Sequence, residues 1–294
     1  MTIPGDLAAI LEAACAQAGL PAAGAEPIRL GENAIFRLPG GVVARIARTG
    51  QQAAARREIA VSRWLNAAGV AAVAAWGDVE QPVEVSGRSV TFWDELPPHA
   101  PGSLPQVAAV LRQLHALPVP DGVPLGALDP FVRLHERIEQ AATLARGDRA
   151  WLAGRLAALR QQWAALSTSM TACVVHGDAW TGNVVATGDG RVILLDLERC
   201  SVGPPEWDLV STAVKYLTFG QASPDGYRQF CDAYGQDVTS WHGFPVLRDI
   251  RELRVTCYVA QQAAEHSRLA GEASLRVACL QGQRGPRPWP WTPA

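Results

Sequence analysis

Hydrophobic positions change their spacing near residue 100 of the chain. Before that point, apolar residues recur at helical spacing in 6–18 and 51–68, and strand-like runs occupy the remaining intervals. The strand-like runs are 27–31, 33–38, 42–48, 71–76, 82–86 and 88–95. The turns Pro39-Gly40-Gly41 and Ser86-Gly87 separate neighbouring strands and predict hairpins. About five strands with a helix among them indicate a small α+β unit.

The segment 96–102, LPPHAPG, reads as a linker, because proline stiffens the backbone and stops a strand from continuing. After it the pattern is helical, with a loop, a strand, a turn at Asp189-Gly190 and a second strand inserted. The predicted helices are 103–116, 130–145, 148–166, 206–219, 224–234, 245–269 and 272–281. The chain therefore divides into predicted domains 1–96 and 97–294. The proline-rich tail 285–291 either packs its two tryptophans onto the body or stays loose.

Composition and charge restrict the classes of partner. The chain has 294 residues, 48% of them hydrophobic and 18% charged, which is typical of a globular protein with a sizeable core. A net charge of −2 provides no basic field for nucleic acid or an anionic membrane, and no apolar run reaches the ~20 residues of a membrane span. The six cysteines form no CxxC pair, which favours free thiols, and the start of the chain lacks signal-peptide features. We therefore expect a cytoplasmic protein without nucleic-acid or membrane partners.

The candidate chemistry lies in HGDAWTGN (176–183) and in Asp196, which follows the apolar run 192–195. The spacing H-x-D-x-x-x-x-N is that of a kinase catalytic loop. In phosphoryl transfer one Asp orients and deprotonates the acceptor hydroxyl, while an Asn and a second Asp hold Mg²⁺ against the nucleotide phosphates. Asp178 is the candidate base, and Asn183 and Asp196 are the candidate metal ligands.

Each of these residues also has a structural interpretation. Asp178 could cap a loop, and Asn183 could be a turn residue. Asp196 is predicted at the end of a buried strand, where a carboxylate is costly unless a cation or donors pair with it. Glu198 is predicted on the same side of an extended chain as Asp196, either near a second metal or facing the substrate, or in a structural role. His176 is predicted to hold the loop backbone.

HGDAWTGN (176–183), LLDLE (194–198) and GPPEWDL (203–209), in this order, resemble the aminoglycoside phosphotransferase and choline kinase-like family. The resemblance implies a two-lobed protein kinase-like α+β fold, with a small antiparallel-sheet N-lobe and a larger, mainly helical C-lobe. It also implies ATP and Mg²⁺ as cofactors. Asp208 resembles the family's Asp that braces the catalytic loop, although it could equally cap the following helix.

Kinases hold the α- and β-phosphates with a cation on the third strand, which a helix Glu keeps in place. The third strand here contains no lysine, so Arg45 is the candidate cation, with Glu58 as the helix Glu that resembles the family's. A surface Arg beside a helix Glu is the alternative interpretation. Arg48 is a competing candidate that strand alternation places on the opposite face.

The resemblance also suggests where nucleotide would bind. The phosphate-covering turn falls at residues 30–34, which include Gly31 and Asn33 but no G-x-G-x-x-G run. The hinge, which includes Glu95 and Leu96, is expected to present backbone groups to adenine. Both assignments come from the resemblance.

Acidic residues on a late helix, near where relatives bind their acceptors, are candidate substrate contacts. Asp249 and Glu252 would attract amines. Arginines alternate with them at 248, 251 and 254, so a solvated face with salt bridges is an equal interpretation.

The predicted function is ATP-dependent phosphorylation of a small-molecule hydroxyl, with an aminoglycoside-like antibiotic as acceptor and therefore a role in antibiotic resistance. A metabolite kinase acting on choline, a sugar or an amino alcohol is the first alternative. A non-catalytic nucleotide-binding pseudokinase is the second, because the strand lysine and the glycine-rich loop are missing. A protein kinase is disfavoured, because no activation-loop stretch or A-P-E segment follows Asp196. We expect a monomer or a homodimer.

Overall fold

A computed structural model describes residues 3–31, 33–77, 79–167 and 171–292. The chain forms two compact units. The first comprises 1–103, 113–126 and 181–201, and the second comprises 104–112, 127–180 and 202–294. The predicted boundary at residue 96 differs from this grouping, because the segment that carries Asn183 and Asp196 belongs with the N-terminal residues.

The first unit contains a five-stranded antiparallel sheet with the strand order β1-β2-β3-β5-β4. Its elements are α1 (Gly5–Ala18), β1 (Glu26–Leu30), β2 (Ala34–Leu38), β3 (Val42–Ile46), α2 (Gln52–Ala67), β4 (Val83–Val85) and β5 (Arg88–Asp94). Alternate residues of β2 and β3 are buried in a core shared with Ile10 and Leu11 of α1. Gly40 and Gly41 adopt φ values of 84° and 77° in the β2–β3 turn, a left-handed conformation that glycine adopts without strain.

A second, three-stranded sheet in the same unit has the order β6-β8-β9. Its strands are β6 (His99–Pro101), β8 (Val184–Thr187) and β9 (Val192–Leu194). The predicted hairpin around Asp189-Gly190 is confirmed. The interpretation of 96–102 as a linker is wrong for β6, which pairs with β8 despite Pro101 because it is an edge strand, where a missing N–H is tolerated. The predicted strand at 71–76 is reduced to two isolated bridges, at Ala72 and Ala75.

The second unit is mainly helical and is built around α8 (Phe244–Glu265), which contacts α4 (Leu134–Gln140), α5 (Arg146–Ser167), α6 (Glu206–Leu217) and α9 (Ala270–Leu280). The other elements are α3 (Leu104–His115), which begins in this unit, α7 (Pro224–Tyr234), β7 (Cys173–Val175) and β10 (Ser201–Gly203). The last two residues of β10 belong to this unit, and β10 pairs with β7. These helices confirm the mainly helical C-terminal part that the sequence predicted.

Two predicted helices are shorter in the structure. The helix predicted over 130–145 is limited to α4, which begins after Arg133 in a left-handed conformation. The helix predicted over 245–269 ends at Glu265, and a 3₁₀ turn follows at Ser267–Leu269. All six cysteines are free thiols. In the described part of the chain, no helix is both long and apolar enough to span a membrane.

The C-terminal tail packs onto the second unit. Trp289 and Trp291 stack with ring centroids 5.1 Å apart and are buried against Cys279 and Phe219. Arg276 donates to the Thr292 carbonyl, and Thr292 N–H donates to Glu272. The first of the two predicted alternatives for the tail is therefore the observed one.

Candidate active site

The β8–β9 hairpin of the first unit brings Asn183 and Asp196 close together. Val184 pairs with Leu194, so the flanking Asn183 lies opposite Leu195, whose N–H donates to the Asn183 carbonyl at 2.9 Å. Asp196 follows at once, with φ 56° and ψ 60°. A non-glycine residue in this left-handed region is uncommon and is found at functional sites. The hairpin therefore places an amide and a carboxylate at one end of two paired strands.

The sequence predicted that Glu198 lies on an extended chain with Asp196, and this prediction is wrong. The left-handed Asp196 starts a 3₁₀ helix at Leu197–Arg199, and this turn directs Glu198 to Arg45, with 3.0 Å between Oε2 and Nη2. The spacing rule failed because it assumes that the strand continues beyond Leu195.

Arg45 on β3 forms an ion pair with Glu58 on α2, with 2.7 Å between Nη1 and Oε2. Glu58 is only 4% exposed, and burial raises the pKa of its carboxyl to about 7 against the lowering effect of Arg45. Asn33 contributes as well, because its amide oxygen, oriented toward the guanidinium, accepts from Arg45 Nη2 at 2.9 Å. Arg45, Glu58 and Asn33 line a small pocket, and Arg48 lines it as well. The prediction that Arg48 lies on the opposite face is wrong, because β3 ends at Ile46 and strand alternation does not extend to residue 48.

A larger cavity of about 400 Å³ in the first unit is lined by the predicted hinge residues Glu95 and Leu96 and by Asp196. Its apolar lining includes Ile28, Ile35, Val43 and Trp93 of the five-stranded sheet, together with Val73 and Leu195, which directly follows β9. A cavity of this volume with a mainly apolar lining suits a heterocyclic ring. Gly31 lies in the bend before Asn33, and Glu32 of the predicted phosphate turn is outside the described residues.

In the second unit, a buried carboxylate holds the loop that carries Asp178. Asp208 on α6 is fully buried and accepts from the backbone N–H groups of His176 at 2.7 Å and Gly177 at 2.8 Å. Gly177 has φ 83°, which favours glycine at this position. The Asp178 N–H donates to His176 Nδ1 at 3.3 Å. This contact holds the loop backbone, as the sequence predicted for His176.

The Asp178 side chain itself is open, with 42% of its surface exposed. Arg251 on α8 lies beside it, with 4.0 Å between Nη1 and Oδ1. Arg251 Nη2 donates to the carbonyls of Gly177 and Trp207, so the guanidinium also supports the loop. A rigid backbone with an exposed carboxylate is the arrangement that a general base requires.

Asp178 opens into a cavity of about 470 Å³ that lies within the second unit. Lys215 of α6 lies in its wall, with Nζ 4.3 Å from the centroid of the Trp180 ring. Burial lowers the pKa of Lys215, against the raising effect of Asp178. Sequence reasoning missed this residue, although one signal was available, because Lys215 is the only lysine in the chain.

Asp249 and Glu252 do not line this cavity. Glu252 is buried and bidentate with Arg287, at 2.6 Å for each oxygen, and it also accepts from Thr218 Oγ1 at 2.6 Å. Asp249 pairs with Arg155 and Arg248. The observed contacts are therefore ion pairs, as in the alternative interpretation, although Glu252 is buried rather than on a solvated face.

A divalent cation fits the residue types at the end of the β8–β9 hairpin. Mg²⁺ takes few protein oxygens and completes its octahedron with phosphates and water. Asn183 and Asp196 provide one amide and one carboxylate. Within the described residues, no group of three or more His, Cys, Asp or Glu is placed to hold a metal ion.

Solved structures of similar fold are kinases of small molecules. A choline/ethanolamine kinase family protein from Mesorhizobium loti has a TM-score of 0.62 and 19% identity, over 92% of this chain and 93% of that one. An aminoglycoside phosphotransferase from Streptomyces rimosus has a TM-score of 0.61 and 21% identity, over 83% of this chain and 98% of that one. An amicoumacin kinase in complex with AMP-PNP and Ca²⁺ has a TM-score of 0.66 and 14% identity, over 92% and 93%. These structural similarities, at TM-scores above 0.6, establish the kinase-like fold.

Residues 25–248 match the family model described as the phosphotransferase enzyme family. The match spans most of the chain, so the chain belongs to this family and is a small-molecule kinase that acts on hydroxyl groups. The comparison with curated proteins finds no match. The predicted family and fold class are thereby confirmed.

Proposed function

We propose that this enzyme transfers the γ-phosphate of ATP to the hydroxyl of a small molecule, with Asp178 as the catalytic base. One observation carries the proposal: the exposed Asp178 carboxylate opens into a cavity, on a loop that the buried Asp208 holds. Asp178 would accept the hydroxyl proton and aim the oxygen at the phosphate. Phosphoryl transfer requires positioning above all, and a fixed loop provides it.

On the nucleotide side, the roles follow from the contacts in the first unit. Arg45, held by Glu58 and Asn33, would bind phosphate oxygens, and the cavity at Glu95 and Leu96 would take the adenine. Asn183 and Asp196 would hold Mg²⁺, which neutralises charge on the phosphates when bound.

The acceptor has two candidate classes. Proteins of similar fold include an aminoglycoside phosphotransferase and a choline/ethanolamine kinase family protein, so both the antibiotic and the metabolite acceptor stay predictions. Antibiotic resistance and a cytoplasmic location stay predictions with them.

A nucleotide-binding pseudokinase is the competing function, favoured by Arg45 in place of a lysine. The paired Arg45 and Glu58 weaken this alternative, because Arg keeps its charge and can bind phosphate bidentately. The braced Asp178 weakens it further, because a site without turnover does not require a positioned base.

Substitution of Asp178 tests the proposal. We expect Asp178→Asn to reduce acceptor-dependent ADP release by about 10²- to 10⁴-fold, because the base is lost while its shape is kept. Binding of AMP-PNP with Mg²⁺, measured by calorimetry, should not change. Asp225→Asn is the matched control, since Asp225 is 73% exposed and pairs only with Arg228 in the described ion pairs. Equal turnover in Asp178→Asn and the parent, or ATP binding without turnover for every acceptor, would contradict the proposal.

A further inference from the structure

The cavity beside Asp178 is lined mainly by aromatic and apolar side chains. They include Trp180, Val214, Phe219, Val255, Tyr258 and Trp291. Among the described residues of the lining, Asp178 is the only carboxylate, whereas Lys215, Arg251 and Arg276 supply positive charge. The lining therefore carries more positive than negative charge, and its one carboxylate, Asp178, is the proposed catalytic base.

The aromatic rings of this cavity are already in contact with cations of the chain. Lys215 Nζ lies 4.3 Å from the centroid of the Trp180 ring. Arg276 Cζ lies 4.9 Å from the centroid of the Trp291 ring, and Arg137 Cζ lies 5.3 Å from that of Tyr258. A ring attracts a cation through the negative charge of its face. A cationic ligand approaching one of these rings would meet a positive charge on it. The rings therefore offer apolar surface rather than an ammonium cage.

The three cations in the lining differ in how many hydrogen bonds and ion pairs they form with other residues of the chain. Arg276 bonds Glu272, the Val255 carbonyl and the Thr292 carbonyl, and Arg251 supports the Asp178 loop. Lys215 has no carboxylate within 4.0 Å among the described ion pairs, and its contacts are the Trp180 ring and the more distant Asp178. Its ammonium is therefore the charge in the cavity best placed to meet a ligand.

Much of this lining lies outside the family match, which ends at residue 248. Arg251, Val255, Tyr258, Arg276, Trp291 and Thr292 all follow that point. The family match therefore covers Asp178, Trp180 and Lys215 but not this other part of the lining.

We propose that the cavity beside Asp178 selects a neutral or anionic hydroxy compound with an apolar face, and that Lys215 is the residue that excludes polycations. This inference rests on the proposed function for the identity of Asp178, and among the acceptors predicted there it favours a sugar over an aminoglycoside or choline. Burying a ligand amine next to Lys215 would place like charges together in a partly desolvated site, where repulsion is costly. A carboxylate at the same point would gain a pairing partner, and an apolar ring would cover the tryptophans.

The first experiment measures affinity without nucleotide. Three naphthalene-methanol probes carry a carboxylate, a methyl or an aminomethyl group at the same ring position. We expect the carboxylate and methyl probes to bind at least about tenfold more tightly than the aminomethyl probe, as a tenfold ratio needs only ~1.4 kcal/mol. Equal or tighter binding of the aminomethyl probe, or no binding of the first two probes, would overturn the inference.

The second experiment reverses the charge. We expect Lys215→Glu to invert the preference so that the aminomethyl probe binds most tightly, while Lys215→Gln reduces the difference between the probes. Arg228→Glu is the matched control, because Arg228 is 65% exposed on α7 and does not line the cavity, and it should keep the parent's order. Thermal unfolding of each variant verifies that it folds. If a folded Lys215→Glu variant binds the three probes in the parent's order of affinity, Lys215 does not determine the selectivity.

Amine labelling gives a readout that is independent of the variants. Lys215 carries the only side-chain amine in the chain, so a peptide map after reductive methylation reports directly on the cavity. The carboxylate probe should protect Lys215, and equal labelling with and without it would contradict the inference. Absence of ADP release with every acceptor would count against the proposed function alone, because affinity and protection do not depend on turnover.

Discussion

Arg45 and Glu58 form a forked contact within the first unit, in which Arg45 Nη1 alone lies 2.8 and 2.7 Å from the two carboxylate oxygens. The contact joins strand β3 to helix α2 and orients a permanent cation at a pocket that Asn33 and Glu198 also line. Because burial raises the pKa of Glu58 to about 7, loss of Arg45 would lead Glu58 to take up a proton rather than stay charged.

Arg45→Ala should raise the KM for ATP by about 10- to 100-fold, the loss expected for a charged hydrogen bond of ~1.5–3 kcal/mol. Initial rates at varied ATP provide the measurement. Arg48→Ala is the control, because Arg48 lines the same pocket. If Arg48→Ala raises the KM and Arg45→Ala does not, the phosphate role belongs to Arg48. The double variant Arg45→Ala/Glu58→Gln keeps the test available if the single variant unfolds.

Glu198 competes with a nucleotide phosphate for Arg45, because Oε2 lies 3.0 Å from Nη2. We expect Glu198→Gln to lower the KM for ATP by about two- to fivefold, since a partly exposed ion pair contributes ~0.2–1 kcal/mol. Steady-state kinetics at fixed Mg²⁺ would show the change. If Glu198 instead contacts a second metal, as the sequence also suggested, the variant would need more Mg²⁺ and turn over more slowly.

Asp208 is a positioning residue for the Asp178 loop. Asp208→Asn keeps one acceptor oxygen and turns the other into a donor that faces a backbone N–H, which should cost about 1–3 kcal/mol of unfolding free energy. We expect kcat to fall while the Kd for AMP-PNP is unchanged, because the contact lies on the loop of Asp178. Urea unfolding and calorimetry measure the two effects. A stability loss with unchanged kcat would mean that Asp208 only stabilises the fold.

Glu252 and Arg287 test whether the acidic residues of α8 bind substrate. Arg287→Ala leaves a buried carboxylate with Thr218 as its remaining hydrogen-bond partner among the described contacts and with Arg248 Nε 4.0 Å from Oε1. We expect a loss of about 2–4 kcal/mol, below the full value for a buried pair because Arg287 is 30% exposed. Glu252→Gln should cost less, since its amide oxygen still accepts. If a folded Glu252→Gln variant has a higher KM for the acceptor, Glu252 contacts the substrate after all.

Lys215 should show a distinct pH dependence of amine labelling. Burial lowers its pKa below the usual 10.5, while Asp178 opposes the shift, so labelling should rise at lower pH than for a free lysine amine. Asp178→Asn removes the carboxylate that favours the charged form and should move the midpoint lower still. Arg251 and Arg276, the other cations facing the cavity, stay charged throughout. Because the folded pKa lies below the unfolded one, Lys215 lowers stability near neutral pH, and this cost disappears as the pH rises toward 10.5. A midpoint at or above 10.5 would contradict the prediction.

Sequence reasoning was accurate where local preferences decide the structure. The hairpin around Asp189-Gly190, the helix 224–234 and the position of Asp196 after a buried strand all follow from turn residues and apolar spacing, which act over a few neighbouring residues. It failed at Glu198, where a single left-handed residue ended the extended chain, and at His99–Pro101, where pairing with β8 produced a strand in a proline-rich segment.

The sequence by itself determined the family, the spacing of Asp178, Asn183 and Asp196, and the order of helices and strands, because these are encoded in short motifs and periodicity. Only the tertiary structure decided that Arg287 neutralises Glu252 and that the single lysine lies on Trp180 beside Asp178. Residue pairs far apart in sequence meet through packing, and the charge of a cavity is the sum of side chains from several elements, which no local pattern contains.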